Sequence, residues 1–388
     1  MGPYAGPVKR TVSTWAAYGT LGLLGFWLNG LGTILAPLRV DLGVDRSQVA
    51  FYPSLFAVAL VLTGLTGEAL VRAIGRRPTM ALSVVGMAAG AGLLCVPSRW
   101  VTIAGAMVLG IGCALTLQTV MVALAAEFPA LSGRANSEAN GLASLMAILV
   151  PWTVGGSMAL GFGWRIGYLA FPLVAAVVVM GALLRSGRPD AATPAPAPLA
   201  ATGEHQPMLW RWVVLVFAVS AEFCCLLWAA DAFTAWHGLS PAAAATCLSA
   251  FLVGMAVGRV ALSARASAHP VRVVIWRQVA LAAVGFVLFW AAPWWPVSLA
   301  GLLVIGLGIS VIYPVGVSHA IAAWPDRPDA AAARTLFASG VAIAGAPYLL
   351  ARLADVADIR EAYLVVPVVL GLLALIAPLA DPRRPAAA

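Results

Sequence analysis

The most evident shortage in this chain is charge. Only 10% of its 388 residues are Asp, Glu, Lys or Arg, whereas 62% are hydrophobic and the mean hydropathy is +0.95. Soluble domains carry roughly 25% charged residues, so the composition excludes a water-soluble globular protein and predicts a polytopic membrane protein. The net charge of +8 comes from scattered arginines. Because they form no single basic face, we expect no nucleic-acid partner.

Lysine, cysteine and histidine are also scarce. Lys9 is the one lysine, and there are five cysteines and four histidines. The cysteines fall in or at the ends of apolar runs, which predicts no disulfide framework. The histidines show no catalytic spacing, and the Gly110 and Gly112 pair lacks the third glycine and the preceding strand of a nucleotide fold. We therefore expect neither an enzyme nor a bound cofactor.

Long apolar runs are abundant instead. A helix needs roughly 20 apolar residues to cross the hydrocarbon core. Twelve such runs can be marked, at residues 13–37, 48–71, 78–97, 100–126, 136–160, 165–184, 210–235, 241–263, 272–292, 296–322, 332–354 and 360–380.

The second half of the chain repeats the first. VLGIGCALT recurs as VIGLGISVI 196 positions later, and matched pairs keep the register over a long stretch: Val108 and Val304, Gly110 and Gly306, Gly112 and Gly308, Pro151 and Pro347, and, at an offset of 195, Arg165 and Arg360. The repeat predicts two parallel six-helix bundles, residues 1–184 and 210–388, related by an axis along the membrane normal. The Pro- and Ala-rich residues 185–209 are predicted to form a cytoplasmic linker.

Basic residues mark alternate joints between the runs, as Arg72, Arg76 and Arg77 do after the second run and Arg185 after the sixth. Cytoplasmic loops carry the excess of positive charge, so both termini are expected in the cytoplasm. The use of arginine in place of lysine and the abundant alanine favour a bacterial source. We expect a monomer in the inner membrane, in contact with membrane lipids.

The joint after the second run reads GEALVRAIGRRP and resembles the loop signature of the major facilitator superfamily, G-x-L-A-D-R-x-G-R-R. Gly75, Arg76 and Arg77 match the signature, whereas Glu68 stands at its first glycine and Arg72 at its aspartate. The twelve runs, the linker and the parallel repeat extend the resemblance over almost the whole chain. It implies an all-α membrane protein with twelve transmembrane helices in two parallel six-helix pseudo-repeats. It also implies alternating access, with helices one, four, seven and ten lining a central cavity.

Two acids in the seventh run are the candidates for proton coupling. Glu222 lies roughly 18 Å into a hydrocarbon core about 30 Å thick, where a charge costs about 2.5 to 3.5 kcal/mol. We expect it to carry protons or to contact substrate; the alternative is a neutral acid bonded to a neighbouring helix. Asp231 lies nine residues further on, on the opposite helix face and nearer the outer surface. Its alternative interpretation is a solvated or gate residue.

Polar and aromatic residues within the runs give the candidates for substrate binding, with core packing as the alternative for each ring. They are Trp27, Asn29, Gln118, Trp152, Glu222, Trp228, Tyr313, His319 and Tyr348. Residues at cytoplasmic helix ends are the candidates for gating, and for the two acids among them simple contact with loop arginines is the alternative: Glu68, Arg72, Arg76, Arg77 and Glu138.

A soft-metal substrate is a further alternative, because thiol, thioether and imidazole groups are present in Cys224, Cys225, Met255 and His319. Their spacing is not diagnostic of a metal site, and cysteine and methionine commonly fill apolar helices. We predict no metal site.

Together these features predict a secondary transporter that moves a small organic solute and is coupled to protons. Export is favoured over uptake, because the cavity candidates are aromatic and acidic and the sequence shows no arginine near the midplane to hold an anionic nutrient. A proton symporter or a facilitator for nutrient uptake is the alternative within this class. A transporter-fold membrane sensor or scaffold is the alternative from another class.

Overall fold

The computed structural model describes residues 10–128, 132–186, 209–266, 269–322 and 328–380. All regular structure in these ranges is helical. The helices are α1 (Val12–Leu42), α2 (Arg46–Val49), α3 (Phe51–Ile74), α4 (Arg76–Leu94), α5 (Arg99–Glu127), α6 (Ser132–Ala159), α7 (Gly163–Arg185), α8 (Leu209–His237), α9 (Pro241–Ala266), α10 (Val271–Ala291), α11 (Trp295–Ile309), α12 (Ile312–Ala322), α13 (Pro328–Val356), α14 (Ile359–Ala362) and α15 (Val365–Ala380).

Within the described residues, 12 helical segments are long and apolar enough to cross a membrane, which confirms the predicted number. Three segments contain a break: α2 with α3, α11 with α12, and α14 with α15. The predicted linker lies almost wholly outside the described ranges.

The first segment is longer than the sequence predicted. The polar residues Arg39 and Asp41 were assigned to a joint, but α1 continues through both and ends at Leu42. The helix stops where Gly43 adopts a left-handed conformation with φ of 61°, which glycine accommodates without a steric penalty. Arg39 therefore projects from the last turn of a spanning helix.

The two faces of the bundle are named here by the joints they carry. The terminal face holds residue 10, where the described chain begins, and residue 380, where it ends. The distal face holds the joints at residues 43–45, 95–98, 160–162, 238–240, 292–294 and 357–358.

The repeat is visible in how the fourth and tenth segments pack. A Cβ at Gly110 would lie 2.5 Å from the carbonyl oxygen of Phe56, and one at Gly306 would lie 2.3 Å from that of Phe251. Both distances are far below van der Waals contact, so each glycine brings two helix backbones together. The paired glycines therefore seat the fourth segment on the second and the tenth on the eighth.

The other glycine pair makes the matching contact on the opposite side of the same helices. A Cβ at Gly112 would lie 2.6 Å from the backbone nitrogen of Met87, and one at Gly308 would lie 2.4 Å from that of Ala282. The fourth and tenth segments are thus each packed closely against two neighbouring helices.

Matched arginines play the same structural part in both halves. Arg165 donates to the carbonyl oxygen of Cys95 at 2.8 Å, and Arg360 donates to that of Trp290 at 2.9 Å. Each arginine satisfies a carbonyl at the distal end of its half's third spanning helix, where a helix leaves acceptors without partners. The pair Pro151 and Pro347 also lies inside matching helices, α6 and α13; that each proline bends its helix stays a prediction.

The glycine contacts lead to a stability prediction. Gly308→Val is expected to lower the melting temperature of the purified protein by about 2 to 6 °C, because the clash is with backbone and overpacking costs about 1 to 3 kcal/mol. Gly371→Val is the matched control, since a Cβ there meets nothing within 4 Å. Equal melting temperatures for the two variants in the same detergent would contradict this packing argument.

Candidate functional site

Glu222 lies at the middle of a spanning helix. It is the fourteenth of the 29 residues of α8, which places it about 20 Å from Leu209 at 1.5 Å per residue. Its side chain is 17% exposed, and its carboxylate oxygen lies 3.9 Å from a terminal guanidinium nitrogen of Arg259. Since 3.9 Å exceeds hydrogen-bond distance, the two groups form a loose ion pair.

Arg259 corrects one premise of the sequence interpretation, which placed no arginine near the midplane. The residue lies toward the terminal end of α9, but its guanidinium extends to Glu222 and its Nε donates to the carbonyl oxygen of Ser310 at 3.5 Å. Counting residues along the helix gives the depth of the Arg259 Cα atom only. The long side chain carries the guanidinium charge several ångströms away from it. The side chain is 43% exposed.

Two hydroxyl groups complete this cluster. Ser339 of α13 donates to the hydroxyl oxygen of Tyr313 of α12 at 3.4 Å, and Tyr313 lies close enough to Glu222 and Arg259 to interact with both charges. We call Glu222, Arg259, Tyr313 and Ser339 the central cluster.

The central cluster borders the interface between the halves. Tyr313 packs against a buried group formed by Val219, Ala342 and Ile343 of the second half together with Ala57 of the first. Any movement of one half against the other therefore changes the surroundings of the cluster.

Two predicted substrate contacts are buried in helix packing instead. Trp27 is 0% exposed, and its indole nitrogen donates to the carbonyl oxygen of Tyr168 at 3.4 Å. Trp228 is 1% exposed and donates to the carbonyl oxygen of Pro347 at 3.1 Å. Each ring fills space between helices and each N–H finds a backbone acceptor, so neither faces a cavity in this conformation.

Gln118 is bonded within its own half. Its amide nitrogen donates to the carbonyl oxygens of Thr63 at 3.0 Å and Gly64 at 3.1 Å, which ties α5 to α3. Its amide oxygen is buried without a hydrogen-bond partner.

Asn29 and His319 also bond to backbone. Asn29 donates to the carbonyl oxygen of Gly25 at 2.8 Å, one turn earlier in α1. A ring nitrogen of His319 lies 2.9 Å from the carbonyl oxygen of Ala380 at the end of α15. Neither residue joins the central cluster.

The two remaining aromatic candidates lie at different contacts between the halves. Trp152 is 58% exposed and, with Trp295 and Leu299, lines a mainly apolar groove of about 390 Å³ on the distal side. Tyr348 of α13 packs on Phe51 of α3, with ring centroids 5.1 Å apart. The two rings therefore lie apart in this conformation, and their role in substrate binding stays a prediction.

Glu138 bonds within the first half. It accepts from Tyr18 at 2.8 Å and pairs with Arg10, which supports its interpretation as an acid bound to a basic residue. Because all three residues belong to the first half, this pair does not bridge the halves as a gate would.

The loop after α3 turns at a glycine. Gly75 has φ of 90°, a conformation that side chains rarely adopt. Arg72 lies in the last turn of α3, and Arg76 and Arg77 open α4. The side chain of Glu68 lies outside the described part of the structure.

Asp231 is not the solvated residue that the sequence allowed. Its side chain is 6% exposed and lies between two arginines of the first half, 2.8 Å from Arg39 and 2.6 Å from Arg46. Asp231 therefore joins the halves near the distal face.

A second acid strengthens this connection. Asp355 of α13 accepts from the backbone nitrogens of Arg46 at 3.1 Å and Ser47 at 2.8 Å. We call Arg39, Arg46, Asp231 and Asp355 the distal network. No sequence pattern predicts these four residues as a network, although the mixed charges of the first distal joint were a signal for partners elsewhere.

The soft-metal candidates do not come together. Cys224, Cys225 and Met255 are buried in the hydrophobic core, while His319 reaches the end of α15. Among the residues described, no group of three His, Cys, Asp or Glu side chains is placed to hold a metal ion.

Three solved structures with similar folds are transporters by title. A bacterial homolog of the human lysosomal transporter Spinster, in an inward-facing and unoccupied conformation, is 14% identical with a TM-score of 0.74, covering 97% of this chain and 100% of the other. The nucleoside transporter NupG (D323A mutant) is 11% identical with a TM-score of 0.74, covering 94% and 98%. A D-xylose-proton symporter is 15% identical with a TM-score of 0.72, covering 94% and 96%.

The sequence comparison gives the family. None of the curated proteins matches the chain significantly. The family model described as Major Facilitator Superfamily matches residues 17–236, more than half of the chain. With its twelve spanning segments and its paired glycine contacts, the chain belongs to the major facilitator superfamily.

Proposed function

We propose that the protein is a proton-coupled secondary transporter that moves a small organic solute across the bacterial inner membrane by alternating access. The observation that carries the proposal is the loose pair of Glu222 and Arg259 at the middle of the bundle. An ionisable pair at that depth costs free energy, so a functional role is the default expectation for it. The neighbours' titles name transporters of several solute classes, so they support transport without indicating the solute.

Glu222 is the better proton carrier of the two acids. Its one described charged partner lies 3.9 Å away, so protonation gives up a weak attraction. Asp231 has two cations at 2.6 and 2.8 Å, both from the other half, so its contacts suit a role in holding the halves together. We therefore assign proton transfer to Glu222 and closure of the distal face to Asp231.

The distal network supports alternating access. It joins α1 and α2 of the first half to α8 and α13 of the second, so the described state is closed at the distal face. With the termini in the cytoplasm, this face is the outer one. Opening it requires the network to break, and breaking it in turn allows the halves to rock about the central cluster.

Arg259 changes the preferred direction of transport. Export was favoured because the sequence showed no arginine near the midplane, and the structure removes that reason. A cation next to a titratable acid suits the alternative, proton symport of a nutrient, at least as well. Symport is thus the second candidate.

Glu222→Gln tests the proposed function. In proteoliposomes, and with a solute chosen by ligand-induced thermal stabilisation, it is expected to abolish transport driven by a pH gradient but to keep exchange of solute down its own gradient. The amide has nearly the same shape and cannot release a proton.

Glu361→Gln is the control, because Glu361 is an exposed acid in the short helix α14. It should transport like the unchanged protein. Undiminished gradient-driven transport by Glu222→Gln would reject Glu222 as the proton carrier.

A further inference from the structure

We propose that the solute is a small organic anion bearing a carboxylate, which takes the place of Glu222 on Arg259 when Glu222 is protonated. This inference rests on the proposed function and specifies its substrate class and its coupling. Each carboxylate would then cross with one proton.

Arg259 already has a carboxylate as its partner. Its guanidinium faces a carboxylate, that of Glu222, at 3.9 Å. A guanidinium has planar, forked donors that match a carboxylate better than any other common anion except phosphate. A solute carboxylate is the same chemical group as the present partner, so the site needs no new chemistry to accept it.

The second step is that the pair is loose and reachable. The side chain of Arg259 is 43% exposed, while that of Glu222 is 17% exposed. A tight, bidentate and buried pair would resist a competing anion, whereas two charged groups held beyond hydrogen-bond distance lose little when a second carboxylate replaces the first.

The third step is charge balance. With Glu222 ionised, a second carboxylate on Arg259 would leave a net negative charge at the middle of the bundle, next to a like charge a few ångströms away. With Glu222 protonated, the solute carboxylate restores the neutral pair. The proton enters Glu222 before or with the anion, and Glu222 returns to Arg259 after both leave.

The fourth step is the absence of a competing charge among the described residues. Helix α8 packs against α1, α9, α11, α12, α13, α14 and α15, and among their described charged groups Arg259 is the one within ion-pair distance of Glu222. The titratable neighbours are Tyr313 and, on α8 itself, Cys225. Several of the other ionisable groups on these helices have partners elsewhere: Arg39 with Asp231, Asp41 with Arg165, His237 with Ser298, Asp355 with α2, His319 with Ala380, and Arg360 with Trp290. The remaining described ones are Arg211 on α8, Arg334 and Arg352 on α13, and Glu361 on α14.

The surroundings of the pair limit the solute. The hydroxyl of Tyr313 interacts with both charges and accepts from Ser339, and Val219, Ala342 and Ile343 form the apolar surface against Tyr313. These groups suit a short or aromatic monocarboxylate with a polar substituent.

The test is binding of matched acids and amides to the purified full chain at pH 6 and pH 8. The probes are lactate, pyruvate, benzoate and 4-hydroxyphenylacetate, each beside its amide, with ethanolamine as a cation. At least one acid is expected to bind at least tenfold more tightly at pH 6 than at pH 8 in isothermal titration, and its amide should not bind at either pH.

Three variants separate the roles. Glu222→Gln imitates the protonated acid and is expected to bind the same carboxylate at pH 8 as tightly as the unchanged protein does at pH 6. Arg259→Gln should lose binding at both values, and Arg259→Lys, which keeps the charge without the fork, should bind at least tenfold more weakly. The gain of binding in Glu222→Gln does not depend on whether the arginine variants fold.

The inference is overturned if none of the acids binds at pH 6, if amides or ethanolamine bind instead, or if Glu222→Gln leaves carboxylate binding at pH 8 unchanged. These failures are distinct from failure of the proposed function. If Glu222→Gln loses transport driven by a pH gradient but binds carboxylates no differently from the unchanged protein, Glu222 remains the proton carrier of the proposed function. The proposal of an anionic solute is then rejected.

Discussion

Asp231→Ala is expected to separate the two halves at the distal face. The substitution removes a carboxylate that is 6% exposed and leaves Arg39 and Arg46 facing each other without their shared anion. Removing one partner of a buried ion pair costs about 3 to 5 kcal/mol. Because both arginines are partly exposed, we take about 3 kcal/mol, which changes the ratio of closed to open protein on the order of 100-fold.

The distance between the halves is the measurement. Leu160→Cys and Val356→Cys place spin labels on exposed distal positions of different halves, 74% and 83% exposed. In a background without the native cysteines, Asp231→Ala is expected to lengthen the distance between the labels.

Asp41→Ala is the matched control for this experiment. Asp41 is another distal acid, but it pairs with Arg165 and accepts from Trp164 within the first half. Its loss should leave the distance between the labels unchanged. If Asp231→Ala keeps the closed distance as well, the distal network does not hold the halves together.

Gly155→Val is expected to prevent the distal face from closing. A Cβ at Gly155 of α6 would lie 2.2 Å from the hydroxyl oxygen of Thr246 and 2.7 Å from the carbonyl oxygen of Ala242, both in α9 of the second half. The threonine side chain can rotate away, but the backbone carbonyl cannot. Overpacking costs about 1 to 3 kcal/mol, and the strain is relieved when the halves part.

The next residue supplies the control for Gly155. A Cβ at Gly156 meets nothing within 4 Å, so Gly156→Val carries the same change in helix propensity without the contact. We expect Gly155→Val to lengthen the distance between the distal labels and to reduce transport at least tenfold, while Gly156→Val does neither. Similar effects from both valines would show that helix propensity, not the contact, is responsible.

The architecture could be predicted because its determinants are local or periodic. Apolar runs give the spans, and Gly110 with Gly306 marks a backbone approach that recurs in each half. A repeat reports on packing even without a structure, since the same contact must be made twice.

The site could be predicted only in part, for two physical reasons. The depth of Glu222 could be predicted because depth along a helix follows from counting residues, whereas the reach of Arg259 depends on where a flexible side chain points. Trp27 was a candidate for substrate binding, with core packing as the alternative, because it lies within an apolar run. In the structure a backbone carbonyl satisfies its N–H.

The distal network could not be predicted because its partners are far apart in the chain. Arg39 and Asp231 are 192 residues apart, and no local pattern reports which distal joint meets which helix. The mixed charges of these joints indicated that ion-pair partners exist but did not identify them.

The short helix α2 is capped at its N-terminus by a residue from the other half of the chain. Its own N-cap residue, Asp45, makes no side-chain capping hydrogen bond, and the first amides of the helix are bonded to Asp355 from the other half. The first turn of the second spanning segment is thus completed by a residue about 300 positions away. When the halves separate at this face, the first turn of α2 loses its acceptor and its amides are exposed to water. Helical order in this turn therefore reports whether the transporter is open or closed at the distal face.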